Sequence, residues 1–330
     1  MLVRVTAVIL AVILLSAASP AFAEKRHRLF NKKPPTPLSF FVGERTWIST
    51  GDNEWSIAQI GGTPDILSEL EFLDLDSTVE EIYGGFRSGA AAVTVRFGYG
   101  NMEGGIYRDS DYLSNDRQDI FSLSTGAADG KDWNDLYYFN AEYSYRFLAG
   151  KTKAGRTTTY LGLIAGYQQW HEEVTMTNGF QGVCVAPTCT VGTGAIAGLN
   201  SHYTFDWKSF RIGVEGSLPL YGGVNLKGTT VFIPYTSYSG EGIWNLRSDF
   251  KQNPSFTHEA NGGYGVEIDA SLAYRIWKNF EIEAGYRYWF IKSGKGTDTT
   301  FSSSGAISTT QLNEAVSERH GAFLDLTFLF

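Results

Sequence analysis

The chain is poor in cysteine and, beyond its first two dozen residues, has no long apolar run. Only two cysteines occur in 330 residues, too few for the cross-linked framework on which small secreted domains depend. No stretch after Glu24 reaches 18 consecutive apolar residues, so a helical membrane protein is excluded. Basic charge is also short, and a net charge of -8 argues against nucleic acid as a partner. The two cysteines, Cys184 and Cys189 in GVCVAPTCT, have no neighbouring His or Cys. They make a poor zinc site, no metal site is expected elsewhere, and an oxidising compartment would let the pair close a disulfide that pins a loop tip.

What the chain does have begins at its N-terminus. Residues 1–23, MLVRVTAVILAVILLSAASPAFA, carry one early basic residue, an apolar run from about Val5 to Leu15, Pro20, and the small-x-small triplet Ala21-Phe22-Ala23. These are the marks of a secretory signal peptide, so the mature chain is expected to begin near Glu24. Residues 24–37, EKRHRLFNKKPPTP, are basic and proline-bearing, a periplasmic lead without structure. Residues 38–330 remain as one body, and their 37 glycines and 15 % aromatics favour a β-rich domain.

Within that body the hydrophobic signal has a period of two. In LYYFNAEYSYRFLAG, Tyr137, Phe139, Ala141, Tyr143, Tyr145 and Phe147 share one face, and Tyr138, Asn140, Glu142, Ser144 and Arg146 share the other. The alternation returns in YGVEIDASLAYRIW, where Glu267, Asp269 and Arg275 lie opposite Val266, Ile268 and Leu272. It returns again in FEIEAGYRYWF, with Glu281, Glu283 and Arg287 on the polar face. Apolar faces tipped with Tyr and Phe fit a membrane interface, which places lipid outside and the mixed charges in a polar lumen. There, carboxylates and guanidiniums pair and offset the cost of burial.

Such segments number roughly ten, near residues 38–49, 67–87, 90–108, 135–149, 158–175, 203–219, 223–238, 262–277, 279–292 and 318–330. Short turns at RSGA, AGKTKAGR, LYGG and WKN alternate with long polar loops near 50–66, 109–134, 176–202, 239–261 and 293–317. The expected fold is therefore all-β: a transmembrane antiparallel up-and-down β-barrel of about ten strands in the outer membrane. The terminal GAFLDLTFLF, ending in Phe330, is similar to the assembly signal of bacterial outer-membrane proteins.

The chemistry-bearing motif is GGIYRDSDYLS, with Asp109 and Asp111 one residue apart at the end of the third strand. Continuing the alternation of Val93, Val95 and Phe97 would turn both acids outward. A bulge at Gly104-Gly105 would shift the register and turn them toward the lumen mouth.

In these features the sequence resembles the omptins, outer-membrane endopeptidases that cleave beside basic residues at the cell surface. The likeness is carried by Gly104-Gly105, Asp109-Ser110-Asp111 and Tyr112, by Gly162-Leu163-Ile164-Ala165-Gly166-Tyr167-Gln168, and by Glu44-Arg45 in VGERTWIS. It implies that Asp109 and Asp111 activate a water and that Glu44 helps bind a basic side chain. It also implies lipopolysaccharide as a requirement, with no other cofactor. The family's Asp-x-His dyad is missing; by spacing its positions fall near Gly242 and Trp244. His258, beside Glu259 and near Asp249, is the substitute base to test, and His171 in YQQWHEE is a second rim candidate.

Two functions therefore stand open. One is an omptin-type surface endopeptidase acting on extracellular peptides or proteins. The other is a non-catalytic barrel on the same scaffold, serving as adhesin, receptor or structural outer-membrane protein. A diffusive porin fits less well, because about ten strands leave a lumen filled by side chains.

Overall fold

The computed structural model describes residues 38–130, 135–151 and 158–330. The signal segment 1–23, the lead 24–37 and most of the AGKTKAGR turn lie outside the described residues. In chain order the strands are β1 (Ser39–Ala58), β2 (Ser68–Leu73), β3 (Ser77–Ser88), β4 (Ala91–Met102), β5 (Ile106–Tyr112), β6 (Ile120–Asp129), β7 (Leu136–Lys151) and β8 (Thr158–Cys184). They continue with β9 (Gly194–Ile196), β10 (Ser201–Pro219), β11 (Val224–Ile243), β12 (Phe256–Asn261), β13 (Gly263–Trp277), β14 (Phe280–Ser293), β15 (Gly296–Phe301) and β16 (Ile307–Leu329).

Antiparallel pairings run β1-β3-β4-β7-β8-β10-β11-β13-β14-β16 and return to β1, closing a barrel. Among the described residues, closure pairs the ring strands on both sides and leaves no edge toward lipid. The other strands prolong this ring upward. β2, β5 and β6 bridge β1 to β8, and β12 and β15 bridge β11 to β16. Between the two tiers the chain is punctuated by positive-φ residues: Asp74 at 55°, Gly104 at 70°, Gly105 at 148°, Gly262 at 92° and Gly263 at 147°.

The upper tier corrects the loop expectation. The segments 50–66, 109–134, 176–202, 239–261 and 293–317 each carry strand: β1 runs to Ala58, β8 to Cys184, β11 to Ile243, and β16 starts at Ile307. Above the aromatic band the outer face meets water rather than lipid. The apolar alternation therefore fades while the hydrogen-bonded ladder continues.

On the lower tier the expected faces are observed. Tyr137, Phe139, Tyr143, Tyr145 and Phe147 are exposed outward, whereas Glu142, Arg211, Glu267, Asp269 and Arg287 meet inside. Arg45 contacts Asp269 and Asp325, each at 3.0 Å; Arg287 contacts Asp269 at 2.9 Å; Arg211 reaches Glu142 at 3.0 Å and Glu267 at 3.1 Å. Above this charged layer the lumen is filled by rings. Trp170 stacks on Trp289 with centroids 4.1 Å apart and on Tyr138 at 4.8 Å, and meets Trp47 edge-on at 6.3 Å. Phe72, Tyr203, Phe205, Trp207 and Tyr238 continue the filling upward. The lumen is a packed core rather than a channel.

Candidate functional site

The chain changes phase at Gly104-Gly105. In β4 the inward positions are even, with Gly98, Gly100 and Met102 buried, whereas in β5 Tyr107 is buried and Ile106 and Arg108 are exposed. Two positive-φ glycines make this one-residue shift, the bulge that the alternation required. Asp109 and Asp111 consequently line a cavity of about 550 Å³ at the loop end of the lumen, together with Tyr107, Ser122 and Ser124. The opposite lining comes from the loop after β11, through Trp244, Leu246, Arg247 and Asp249. A further wall comes from Thr188, Cys189, Thr190 and Val191. Cys184 and Cys189 form a disulfide with Cα atoms 5.1 Å apart, which fixes that wall.

The electrostatics of the pair are unusual for aspartates. Burial pushes the Asp109 carboxyl well above the ordinary carboxylate range, the Asp111 charge adds to the rise, and Arg247 partly opposes it. Asp111 is raised by burial too, against hydrogen bonds from Ser68 and Ser122 and the Arg247 charge. As alternate strand residues the two have Cα atoms roughly 7 Å apart. Arg247 grips Asp249 through a fork of 2.9 and 2.7 Å and lies over the Phe250 ring at 4.1 Å. Sequence reading misses Arg247 and reaches Trp244 only as a place where the dyad's spacing falls, since nothing local in the loop marks which side chains lean over the mouth.

The expected bases are elsewhere. His258 is fully buried on β12, with Nδ1 2.6 Å from the Tyr203 hydroxyl and Nε2 3.2 Å from Asp298 Oδ1. Trp55 packs edge-on against it at 4.7 Å. Its partners are thus neither Asp249, which is taken by Arg247, nor Glu259, which is exposed on the outer face. Burial lowers its proton affinity, which Asp298 partly restores. His171 lies on the outside of the barrel, stacked on Tyr137 at 4.4 Å and 2.8 Å from Asp206. Its residue parity on β8 alternates with buried Trp170 and Glu172 and so points it away from the lumen. Among the described residues, no histidine lines the mouth cavity.

The strand end around the expected dyad positions, Gly242 and Trp244, is sterically occupied. A Cβ at Gly242 would lie 2.1 Å from the Phe256 ring, and one at Gly240 would lie 2.1 Å from the Tyr203 hydroxyl. Trp244 packs edge-on against Phe256 at 4.8 Å. Glu44 is also misplaced by sequence reading. It is exposed on the outer face of β1, level with Ile82 and Leu326, far below the mouth. The Glu-Arg dipeptide put Arg45 into the lumen and, by strand alternation, Glu44 toward lipid.

A family model described as "Pom: Protochlamydia outer membrane protein" matches residues 49–330. No curated protein matches the chain. Among solved structures, the chain is similar to the outer membrane protease OmpT from Escherichia coli, with TM-score 0.75 and 12 % identity over 91 % of this chain and 99 % of that one. The likeness establishes an omptin-like outer-membrane barrel fold. The translocator domain of the autotransporter NalP from Neisseria meningitidis covers 98 % of this chain and 96 % of its own, at 9 % identity and TM-score 0.36, too low to bear on the fold.

Proposed function

Because the chain belongs to the Protochlamydia outer membrane protein family and is an outer-membrane barrel of omptin-like fold, we propose that it is a surface receptor that binds without cleaving, its mouth cavity taking a cationic group of an extracellular peptide or protein. The observation that carries this reading is the company of the acid pair. Asp109 and Asp111 share their cavity with a guanidinium, Arg247, and with Trp244, while the volume at Gly240 and Gly242 is taken by aromatic rings. A general base must come within hydrogen-bond reach of the water it activates; a carboxylate pair beside an aromatic wall suffices to hold a cation. Arg247 occupies the place that an incoming basic side chain would contest.

The endopeptidase reading draws its support from the same two aspartates facing a cavity large enough for a peptide segment. One experiment separates the two. The refolded barrel, with lipopolysaccharide, is titrated with a fluorogenic peptide containing paired basic residues, and both binding and cleavage are followed. Saturable binding that weakens in Asp109→Ala/Asp111→Ala, with the peptide intact, supports the receptor. Cleavage that disappears in the same variant establishes the protease instead. Absence of binding by the folded barrel rejects both.

A further inference from the structure

At the turn end of the barrel a second cavity, of about 250 Å³, opens below the charged layer. Its lining is dense in charge, and nearly all of it is spoken for. Lys227 bridges Glu281 and Glu283, each at 2.6 Å; Arg275 reaches Glu281 at 3.1 Å; Arg146 reaches Glu215 at 3.2 Å. Deeper in, Arg45, Arg96, Arg211 and Arg287 serve the remaining carboxylates.

Among the described residues, the exception is Arg87. It follows the inward parity of Glu81 and Tyr83 on β3, lines this cavity, and its Nη1 is buried with no hydrogen-bond partner among the described residues. Arg146 and Glu215 line the same cavity, and that carboxylate is already taken by Arg146. Arg146 is itself held flat over the Tyr160 ring, 3.5 Å from its centroid. Arg87 and Arg146 thus face one space, and among the described residues no ion pair takes up Arg87. Asn225, 3 % exposed on the far wall, also leaves its Oδ1 buried and unpaired.

An uncompensated cation beside a like charge in a half-enclosed site is costly unless an anion joins it. Guanidinium groups present paired N–H donors that match the oxygens of phosphate or carboxylate. The free acceptor on Asn225 asks in addition for a donor on the same molecule. We propose that this turn-end vestibule is an anion-binding site. Its ligand is a small molecule or chain terminus bearing a phosphate or carboxylate, seated between Arg87 and Arg146 and entering from the periplasmic side. This site lies at the opposite end of the barrel from the aspartate cavity and does not depend on the receptor reading.

The test is calorimetric titration of the refolded full chain in detergent with inorganic phosphate and, separately, with acetate. One saturable event is expected, weakened at least tenfold by Arg87→Gln, partly recovered in Arg87→Lys, and unchanged in Asp109→Asn. Binding of phosphate alone or acetate alone identifies which group the site takes, and either supports the proposal. No saturable binding of either anion to the folded wild type overturns it, as does equal affinity in Arg87→Gln. Should Arg87→Gln not fold, protection of Arg87 from phenylglyoxal in the wild type decides the question by mass spectrometry. Failure of both anions to slow that modification overturns the proposal.

Discussion

Arg319 of β16 and Glu172 of β8 form an ion pair whose two side chains are wholly buried. In the ring order these strands stand five places apart, so the pair spans the lumen like a strut. Arg319 also donates to the Leu75 carbonyl at 3.0 Å and to Ser77 Oγ at 3.1 Å, tying a third wall to the strut.

Removing one partner strands the other's charge in a dry interior, at a cost of about 3–5 kcal/mol. Glu172→Ala and Arg319→Ala are each expected to lower unfolding stability in denaturant by that order. The double replacement Glu172→Leu/Arg319→Met recovers much of the loss, because no orphan charge remains. Single-variant losses below about 1 kcal/mol would mean that water reaches the pair.

The aromatic stack of Trp47, Trp170 and Trp289 closes the lumen above the charged layer. In planar bilayers the wild type is expected to show no steady conductance. Trp170→Ala, which also carries a core-truncation cost of about 3–5 kcal/mol, is expected to show openings. Steady conductance in the wild type would contradict the packed lumen.

The mouth aspartates are expected to make stability fall with rising pH. Their folded-state proton affinity is raised above that of the unfolded chain, mainly by burial. Between the ordinary carboxylate range and the raised folded value the native state holds more protons than the unfolded one, so stability declines as pH rises through that window. Asp109→Asn should flatten the decline and raise the melting midpoint at neutral pH. Binding of a basic peptide should strengthen with pH over the same window, since it selects the ionised pair.

His258 has the opposite sign. Its proton affinity is lowered in the fold, so the unfolded chain takes up a proton first on acidification and stability is lost as pH falls through the ordinary histidine value. His258→Ala removes a contact to Tyr203 and leaves Asp298 with one partner fewer, an expected loss of about 1–3 kcal/mol. Peptide binding by the folded variant should be unchanged. A selective loss of peptide turnover without loss of stability would restore His258 as a base.

Glu44 offers a fifth test, because a carboxylate facing lipid contributes nothing that an apolar side chain would not. Glu44→Leu should leave peptide binding intact and leave stability equal or slightly higher, by under about 2 kcal/mol. Weakened peptide binding would return Glu44 to the site.

Sequence legibility followed contrast between environments. Tyr137 to Phe147 could be read because lipid and lumen demand opposite side chains on alternate residues. The stretch from Ser110 to Asp129 could not, since above the girdle one polar face meets water and the other a polar mouth, and no period survives. The inward turn of Asp109 and Asp111 was conditional on two glycines whose conformation only the fold reveals. The burial of His258 depended on Trp55, Tyr203 and Asp298, partners remote in the chain. Glu44 was misread because a dipeptide match carries no information on height along a strand or on which face it occupies.

The belt of positive-φ residues between the tiers, from Asp74 through Gly104-Gly105 to Gly262-Gly263, separates two selective regimes. Below it the outward faces are mostly apolar and aromatic, with Tyr143, Tyr145 and Phe147 exposed; above it that alternation fades. The inward parity changes by one residue where the chain crosses it between β2 and β3, β4 and β5, and β12 and β13, whereas β1, β8, β11 and β16 run through unbroken. At those three crossings the face turned to the mouth is set separately from the face turned to lipid, and it is there that the acid pair is aimed inward.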